Sequence, residues 1–188
     1  MALNYVGSRN GAARNLETIV IEDSKTIAVG DVVKVYTDGY VSNGVAALPI
    51  KGVVHAIAEG GAGSNFATLP PIQGANVAGT ANSPATTSIA AGATNTTTKK
   101  YWAVVDTSRN SLYSAEVSGT LGTTVNSDLP GVKIDVDSAN TDYGRLLETT
   151  ATRTVGTPAN FYSHGVDPQD STRLIVSIAL SEEDSVYE

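Results

Sequence analysis

Leu174-Ile175-Val176-Ser177-Ile178-Ala179-Leu180 puts Leu174, Val176, Ile178 and Leu180 on one face of an extended chain. A period of two carried by β-branched side chains predicts a strand with one buried face. The same habit runs upstream from this stretch. Arg145 to Thr150 reads as a strand, and Gly131 to Val136 as another, with Val132, Ile134 and Val136 on one face. Ser111 to Val117 is a third, ending at Ser118-Gly119, and Tyr101 to Val105 a fourth. Nearer the N-terminus, Thr18 to Glu22 is β-branched and stops at Asp23-Ser24, and Val29-Gly30-Asp31 turns into Val32 to Tyr36. Asp38-Gly39 fits a two-residue hairpin returning through Tyr40 to Ser42, because both central residues need positive φ. Asn43-Gly44 is a further turn, and Gly52 to Ala58 a further strand. Residues 14–21 leave room for a short helix, against which Thr18, Ile19, Val20 and Ile21 weigh. No segment sustains a helical period. The expected fold is all-β, built of small β-barrel or β-sandwich parts with long irregular loops.

Composition agrees. Among 188 residues, Thr (22), Val (21) and Gly (18) are abundant and charged side chains make up only 16%, below the roughly 25% of an ordinary domain. A chain of this length buries roughly 70% of its unfolded surface and needs no staples. There is no Cys, which excludes disulfides, thiolate zinc sites and cysteine nucleophiles. The net charge of −7 argues against a nucleic-acid binder, which must neutralise phosphates with clustered Lys and Arg. The first residues lack the basic-then-apolar pattern of a secretory signal, and no apolar run is long enough to span a membrane.

Charge divides the chain. Residues 1–59 carry five basic and six acidic side chains, residues 60–98 carry none, and residues 99–188 carry seven and thirteen. The predicted organisation is an N-terminal arm (1–17), a β-rich part (18–59), an uncharged loop or extended tract (60–98) and a C-terminal β-rich domain (99–188). The uncharged tract contains Phe66, Leu69, Ile72, Val77 and Ile89. It reads either as a linker or as a stretch that lies on a surface. The segment around Arg9, Asn10 and Arg14 is small, polar and locally basic. It reads either as a disordered terminus or as an arm that orders on a partner. The tail from Ser181 to Glu188 is acidic and expected to fray.

Catalytic and metal constellations are sparse. His55 lies in an apolar strand and reads as a hydrogen-bonded core or edge histidine; His164 sits in a loop. No HxH or HExxH spacing exists, and no Gly-x-Ser-x-Gly elbow accompanies the histidines, although a triad can be assembled from distant residues. Asp135, Asp137 and Asp142 resemble a calcium loop but fail its register, with Ala139, Asn140 and Leu146 at the fifth, sixth and twelfth places. Asp167 and Asp170 read as turn-formers around Pro168. Gly60-Gly61-Ala62-Gly63 lacks the Lys-Ser/Thr of a phosphate loop. The expectation is no enzyme, no cofactor and no structural metal.

Three stretches resemble the capsid decoration (cement) and minor structural proteins of tailed bacteriophages. They are Val29-Gly-Asp-Val-Val-Lys-Val-Tyr36 with Asp38-Gly-Tyr40 and Lys51-Gly-Val-Val54; Lys100-Tyr-Trp-Ala-Val-Val-Asp106 leading to Leu112-Tyr-Ser-Ala-Glu-Val-Ser-Gly119; and the strand Leu174 to Leu180. The resemblance covers roughly two-thirds of the chain and leaves the uncharged tract without a counterpart. It implies a non-enzymatic virion protein, made in the host cytoplasm, that binds the major capsid protein on the outside of the shell. Such a protein bridges neighbouring subunits, often as a homotrimer, without nucleic acid or membrane. Arg9, Asn10 and Arg14 are the candidate capsid contacts. The alternatives are a tail-tube or head-fibre component, or a ligand- or carbohydrate-binding β-module. The last needs several exposed aromatics on one face, and the chain has eleven aromatics in all.

Overall fold

The computed structural model describes residues 3–36, 38–44, 49–61, 88–89, 94, 99–118, 121, 130–137, 147 and 159–179. These form twelve strands and no α-helix: β1 (Asn4–Ser8), β2 (Leu16–Val20), β3 (Ile27–Ala28), β4 (Val32–Val35), β5 (Val41–Asn43), β6 (Gly52–Gly61), β7 (Ser88–Ile89), β8 (Lys99–Asp106), β9 (Ser111–Glu116), β10 (Lys133–Ile134), β11 (Phe161–Asp167) and β12 (Asp170–Ile178). The protein is all-β. Sheet A is ordered β1-β9-β12-β11-β10 and sheet B β2-β8-β6-β4-β5, with β3 and β7 paired separately. All the ladders are antiparallel.

Each sheet curls back on itself. Beyond β2, Ile21 forms a parallel bridge to Val41 of β5, and Glu22 N–H donates to Val41 O at 2.9 Å. Leu147 closes the other sheet, bridging Val117 beyond β9 and Val136 beyond β10. These are single bridges and not ladders, so neither sheet is a closed barrel. The alternation read from the sequence decides what each curl encloses. Val33, Val41, Val54, Ile57, Ala103 and Val105 join Ile21 and Ile27 inside sheet B. Tyr113, Ala115, Phe161, Leu174, Val176 and Ile178 join Leu147 inside sheet A, and Leu3, Val32, Ile50 and Val53 pack onto that same core from the sheet B side. Gly52 marks the tightest approach within sheet B. A Cβ there would lie 2.1 Å from the backbone oxygen of Asp106, so only glycine lets β6 meet the end of β8.

Strands from the predicted parts share both five-stranded sheets. Strand β8, from the C-terminal part, lies between β2 and β6 of the N-terminal part, while β1 adds to the sheet of the C-terminal part. Both exchanges pair strands far apart in sequence, which local patterning does not report. β6 and β8 stay paired to Gly60↔Lys100 and Gly61↔Lys99, so the uncharged stretch leaves and re-enters at the tip of one hairpin. Part of it returns to the first unit, where Ser88 and Ile89 pair with Ala28 and Ile27.

The arm 1–17 is likewise built into the fold where it is described. Leu3 is buried in the core, its N–H donates to Gly30 O at 3.0 Å, and β1 pairs with β9 from Asn4↔Ser114 to Ser8↔Ser111. The chain then makes one 3-10 turn, Arg9–Gly11, before β2 starts two residues earlier than predicted. The Asp38-Gly39 turn is wider than the predicted two-residue hairpin: Tyr36 N–H donates to Tyr40 O at 3.0 Å, with Gly39 at φ +84°. Asn43 and Gly44 extend the sheet, Gly44 N–H donating to Val32 O at 2.8 Å. β11 is a strand where the sequence predicts a loop around His164. Of the strand predicted at 145–150 only Leu147 is described, and Leu180 and the tail lie outside the described residues.

Candidate functional site

Alternation along β8 sends Ala103 and Val105 into the core of sheet B and leaves Trp102, Val104 and Asp106 on the opposite face, towards sheet A. The last of these is a fully buried carboxylate. It is satisfied from two directions. Ser108 N–H donates to Oδ1 at 3.1 Å and Ser111 Oγ to Oδ2 at 2.8 Å, which shapes the turn carrying the chain from sheet B into sheet A. Arg14 Nε, 92 residues away in sequence, donates to Oδ2 at 2.7 Å. The Arg14 guanidinium also stacks over the Tyr5 ring, 4.0 Å from its centroid, and Tyr5 meets Tyr113 edge-on at 6.2 Å. Burial, and then the Asp106 carboxylate, push the Tyr113 phenol far above its ordinary range, so it stays protonated. His55 faces this seam from β6, where burial and then Arg14 hold its imidazole below its usual value against the opposing pull of Asp106. Next along the seam, Asn15 Nδ2 donates to Thr107 Oγ1 at 2.8 Å and Thr107 N–H to Asn15 O at 2.8 Å, while Lys51 and Glu17 form an ion pair at 2.8 Å.

A second polar cluster lies on the far side of sheet A from its core. Arg173 is buried; its Nε donates to Ser114 Oγ at 2.8 Å and its Nη2 to Ser114 O at 2.7 Å, with Glu116 at 3.9 Å. The Ser114 hydroxyl, followed by Gln169 N–H at 2.9 Å, holds the Asp167 carboxyl below the usual carboxylate range. On β11, His164 Nε2 lies 2.8 Å from Ser177 Oγ. Burial and then Arg9 keep that imidazole below its usual value. A serine beside a histidine is the nucleophile–base half of a triad, yet Ser177 is 1% exposed and the charged residue acting on His164 is a cation, not an orienting carboxylate.

The predicted contacts separate. Arg9 and Asn10 are exposed on the 3-10 turn, with Asn10 at φ +58°, while Arg14 is committed to Asp106 and Tyr5. Asp135 takes part in a local exchange, accepting from Asn160 N–H at 3.0 Å while Asn160 Oδ1 accepts from Val136 N–H at 3.0 Å. Asp142 lies outside the described residues. Among the described residues no three His, Cys, Asp or Glu side chains gather as a metal set, and no helix is long and apolar enough to cross a membrane. Among the described residues the large exposed apolar side chains are Tyr5, Val6, Val29, Tyr36, Tyr40, Tyr162 and Val166. Lys34 Nζ lies over Tyr36 at 4.3 Å, and Lys133 Nζ near the Tyr162 ring at 6.0 Å.

The Asp106–Arg14 seam escaped sequence reading. A signal existed in the phase of Tyr101 to Asp106, which puts an acid on the face of Trp102 and Val104, but its partner is set only by the fold. No family model, curated protein or solved structure matches the chain.

Proposed function

We propose that this chain is a structural virion protein that binds the outside of a phage capsid and stabilises the shell by bridging neighbouring capsid subunits, acting as a homotrimer on the major capsid protein. The observation that carries the reading is the uncharged stretch 60–98, set as an excursion at the tip of the β6–β8 hairpin. Thirty-nine residues without charge suit burial against another subunit, where charge is depleted. The body behind it is an all-β support whose two sheets are tied by Arg14 on Asp106 and Asn15 on Thr107. Stabilisation then follows from mass action: a protein that binds only the assembled shell favours assembly. The acidic excess of residues 99–188 serves solubility by repulsion on the side away from the shell. Arg9 and Asn10 remain in the contact role, and Arg14 leaves it.

The test is co-sedimentation of the purified protein with stripped capsids, with mass measured by light scattering. Wild type should decorate the shell and run as a trimer. Arg9→Ala with Asn10→Ala should keep the fold and weaken attachment by about 1 kcal/mol, less at high salt. No decoration by wild type refutes the capsid reading; unchanged affinity of the double variant removes only the contact assignment. One observation favours the ligand-binding alternative: Tyr36 and Tyr40 stand exposed at one hairpin tip beside Lys34. Carbohydrate binding lost in Tyr36→Ala would support it.

A further inference from the structure

Asparagine followed by glycine occurs twice in the chain, at Asn10-Gly11 and at Asn43-Gly44. The dipeptide is chemically weak in water. The glycine nitrogen, with no side chain beside it, can attack the asparagine Cγ and expel the amide as ammonia. The reaction runs only where the fold lets that nitrogen reach that carbon, and the two pairs are held in opposite ways.

Asn43 ends β5, and Gly44 is fixed against β4. Asn43 Nδ2 donates to Thr26 O at 3.1 Å and Gly44 N–H to Val32 O at 2.8 Å, so both reacting groups are engaged. A Cβ on Gly44 would lie 2.8 Å from Val32 Cγ1, which leaves the glycine no room to swing. Asn10 and Gly11 instead lie in the 3-10 turn between β1 and β2, and both are exposed. They stand at φ +58° and φ +67°, in the left-handed region that Asn and Gly accept best. Among the described residues nothing hydrogen-bonds the Asn10 side chain, and nothing lies within 4 Å of where a Gly11 Cβ would stand. The turn is closed by Ala12 N–H on Arg9 O at 3.2 Å, a long bond in the poorer 3-10 geometry.

We propose that Asn10 is a self-modification site, which the folded protein converts to aspartate and isoaspartate with water as the only co-reactant, while Asn43 is spared. Gly11 N gives its proton to water or hydroxide and bonds to Asn10 Cγ. The Cγ–Nδ2 bond breaks, and the nitrogen takes a proton from solvent and leaves as ammonia. Water then opens the cyclic imide. Opening at the former Cγ gives aspartate; opening at the Asn10 backbone carbonyl gives isoaspartate, whose chain runs through Cβ to Gly11. Either product sets a new carboxylate beside Arg9, in a chain whose net charge is already −7. Isoaspartate also inserts a backbone atom into the turn, so Ala12 N–H and Arg9 O lose their spacing. That turn joins β1, at the edge of sheet A, to β2 of sheet B, and Arg9 N–H holds it to Asn110 O at 2.7 Å. A lengthened turn loosens β1 from β9. The inference is independent of the capsid reading.

The test is to age the full chain at neutral pH and follow the peptides carrying each pair by mass spectrometry, with fragmentation that separates isoaspartate from aspartate. Asn10 should convert at least about tenfold faster than Asn43, because two hydrogen bonds must break before Asn43 can react. In urea the two rates should converge. An Asn10 as inert as Asn43 in the folded protein overturns the proposal, as does an Asn43 that reacts as fast. A gap that persists in urea also overturns it, since the flanking sequence and not the fold then sets the difference. Hydrogen–deuterium exchange reads the effect on β1. The isoaspartyl fraction should lose protection severalfold over Tyr5–Ser8, while Asn10→Asp, with the same charge on an unaltered backbone, should keep it. No loss in the isoaspartyl fraction, or an equal loss in Asn10→Asp, refutes the loosening.

Discussion

Sheet B closes with its own strands: Ile21, one residue past β2, reaches Val41 of β5, so both outer strands take part in the curl. Sheet A differs. There Leu147 bridges the extensions of β9 and β10, and β1 lies beyond β9, outside those bridges. Sheet B thus links its margins by one bridge, whereas sheet A carries an extra strand on one ladder. That strand is fixed by what lies beyond it in the chain, namely Leu3 in the core and Arg14 on Asp106. An edge strand held in this way is where local opening starts.

The largest effect should come from cutting the tie between the sheets. Arg14→Ala leaves Asp106 buried without its counter-charge, and should cost about 3–5 kcal/mol of unfolding free energy in urea. Replacing both partners, Arg14→Met with Asp106→Asn, should cost less than Arg14→Ala alone, because no unpaired charge is then stranded. If Arg14→Ala is nearly silent, β1 is held by its ladder alone and the contrast between the sheets weakens.

Leu147→Ala should come next, at about 3 kcal/mol, because the side chain is fully buried and the cavity opens in the core of sheet A. Ile21→Ala removes a comparable side chain from sheet B. The pair sharpens the comparison through exchange mapping. Leu147→Ala should expose β9 and β10 preferentially, while in Ile21→Ala the loss should concentrate in β2 and β5. Identical maps would mean that the sheets open as one unit.

These contrasts were partly legible in the sequence. β4, β6, β8 and β12 are rich in Val and Ile, and β12 holds a clear period of two, so the existence of these strands and the buried face of β12 could be read directly. β11 was not, because the bulge at His164 breaks the phase of Phe161-Tyr162-Ser163-His164-Gly165-Val166-Asp167 and only two of its residues are strongly apolar in-facing or β-branched. β1 hid for a related reason: Asn4, Gly7 and Ser8 resemble a terminus, and a register slip at Val6 interrupts the alternation. The candidate site was hidden by distance. In the sequence Asp106 only follows the strand Tyr101 to Val105 and Arg14 belongs to a locally basic arm, until a strand pairing between residues 16–20 and 102–106 brings them together.

The smallest effect concerns the β11–β12 turn, and it separates that hairpin from the edge strand β1 by pH. The Asp167 carboxyl is held below its ordinary value chiefly by the Ser114 hydroxyl, and that of Asp170 by the hydroxyl and N–H of Thr172, at 2.6 and 3.0 Å. An acid depressed in the folded state contributes above its unfolded value, about 3.9, and loses that contribution as pH falls through the folded one. The turn should therefore keep its exchange protection near neutral pH and soften only below about pH 4. Asp167→Asn with Asp170→Asn should flatten this acid step. Because Asp170 is exposed, the change should be seen in the amides of 166–173 and not in global unfolding. If β1 loses protection at that same pH, the edge strand and the hairpin belong to a single cooperative unit, and the margin of sheet A is no weaker than its centre.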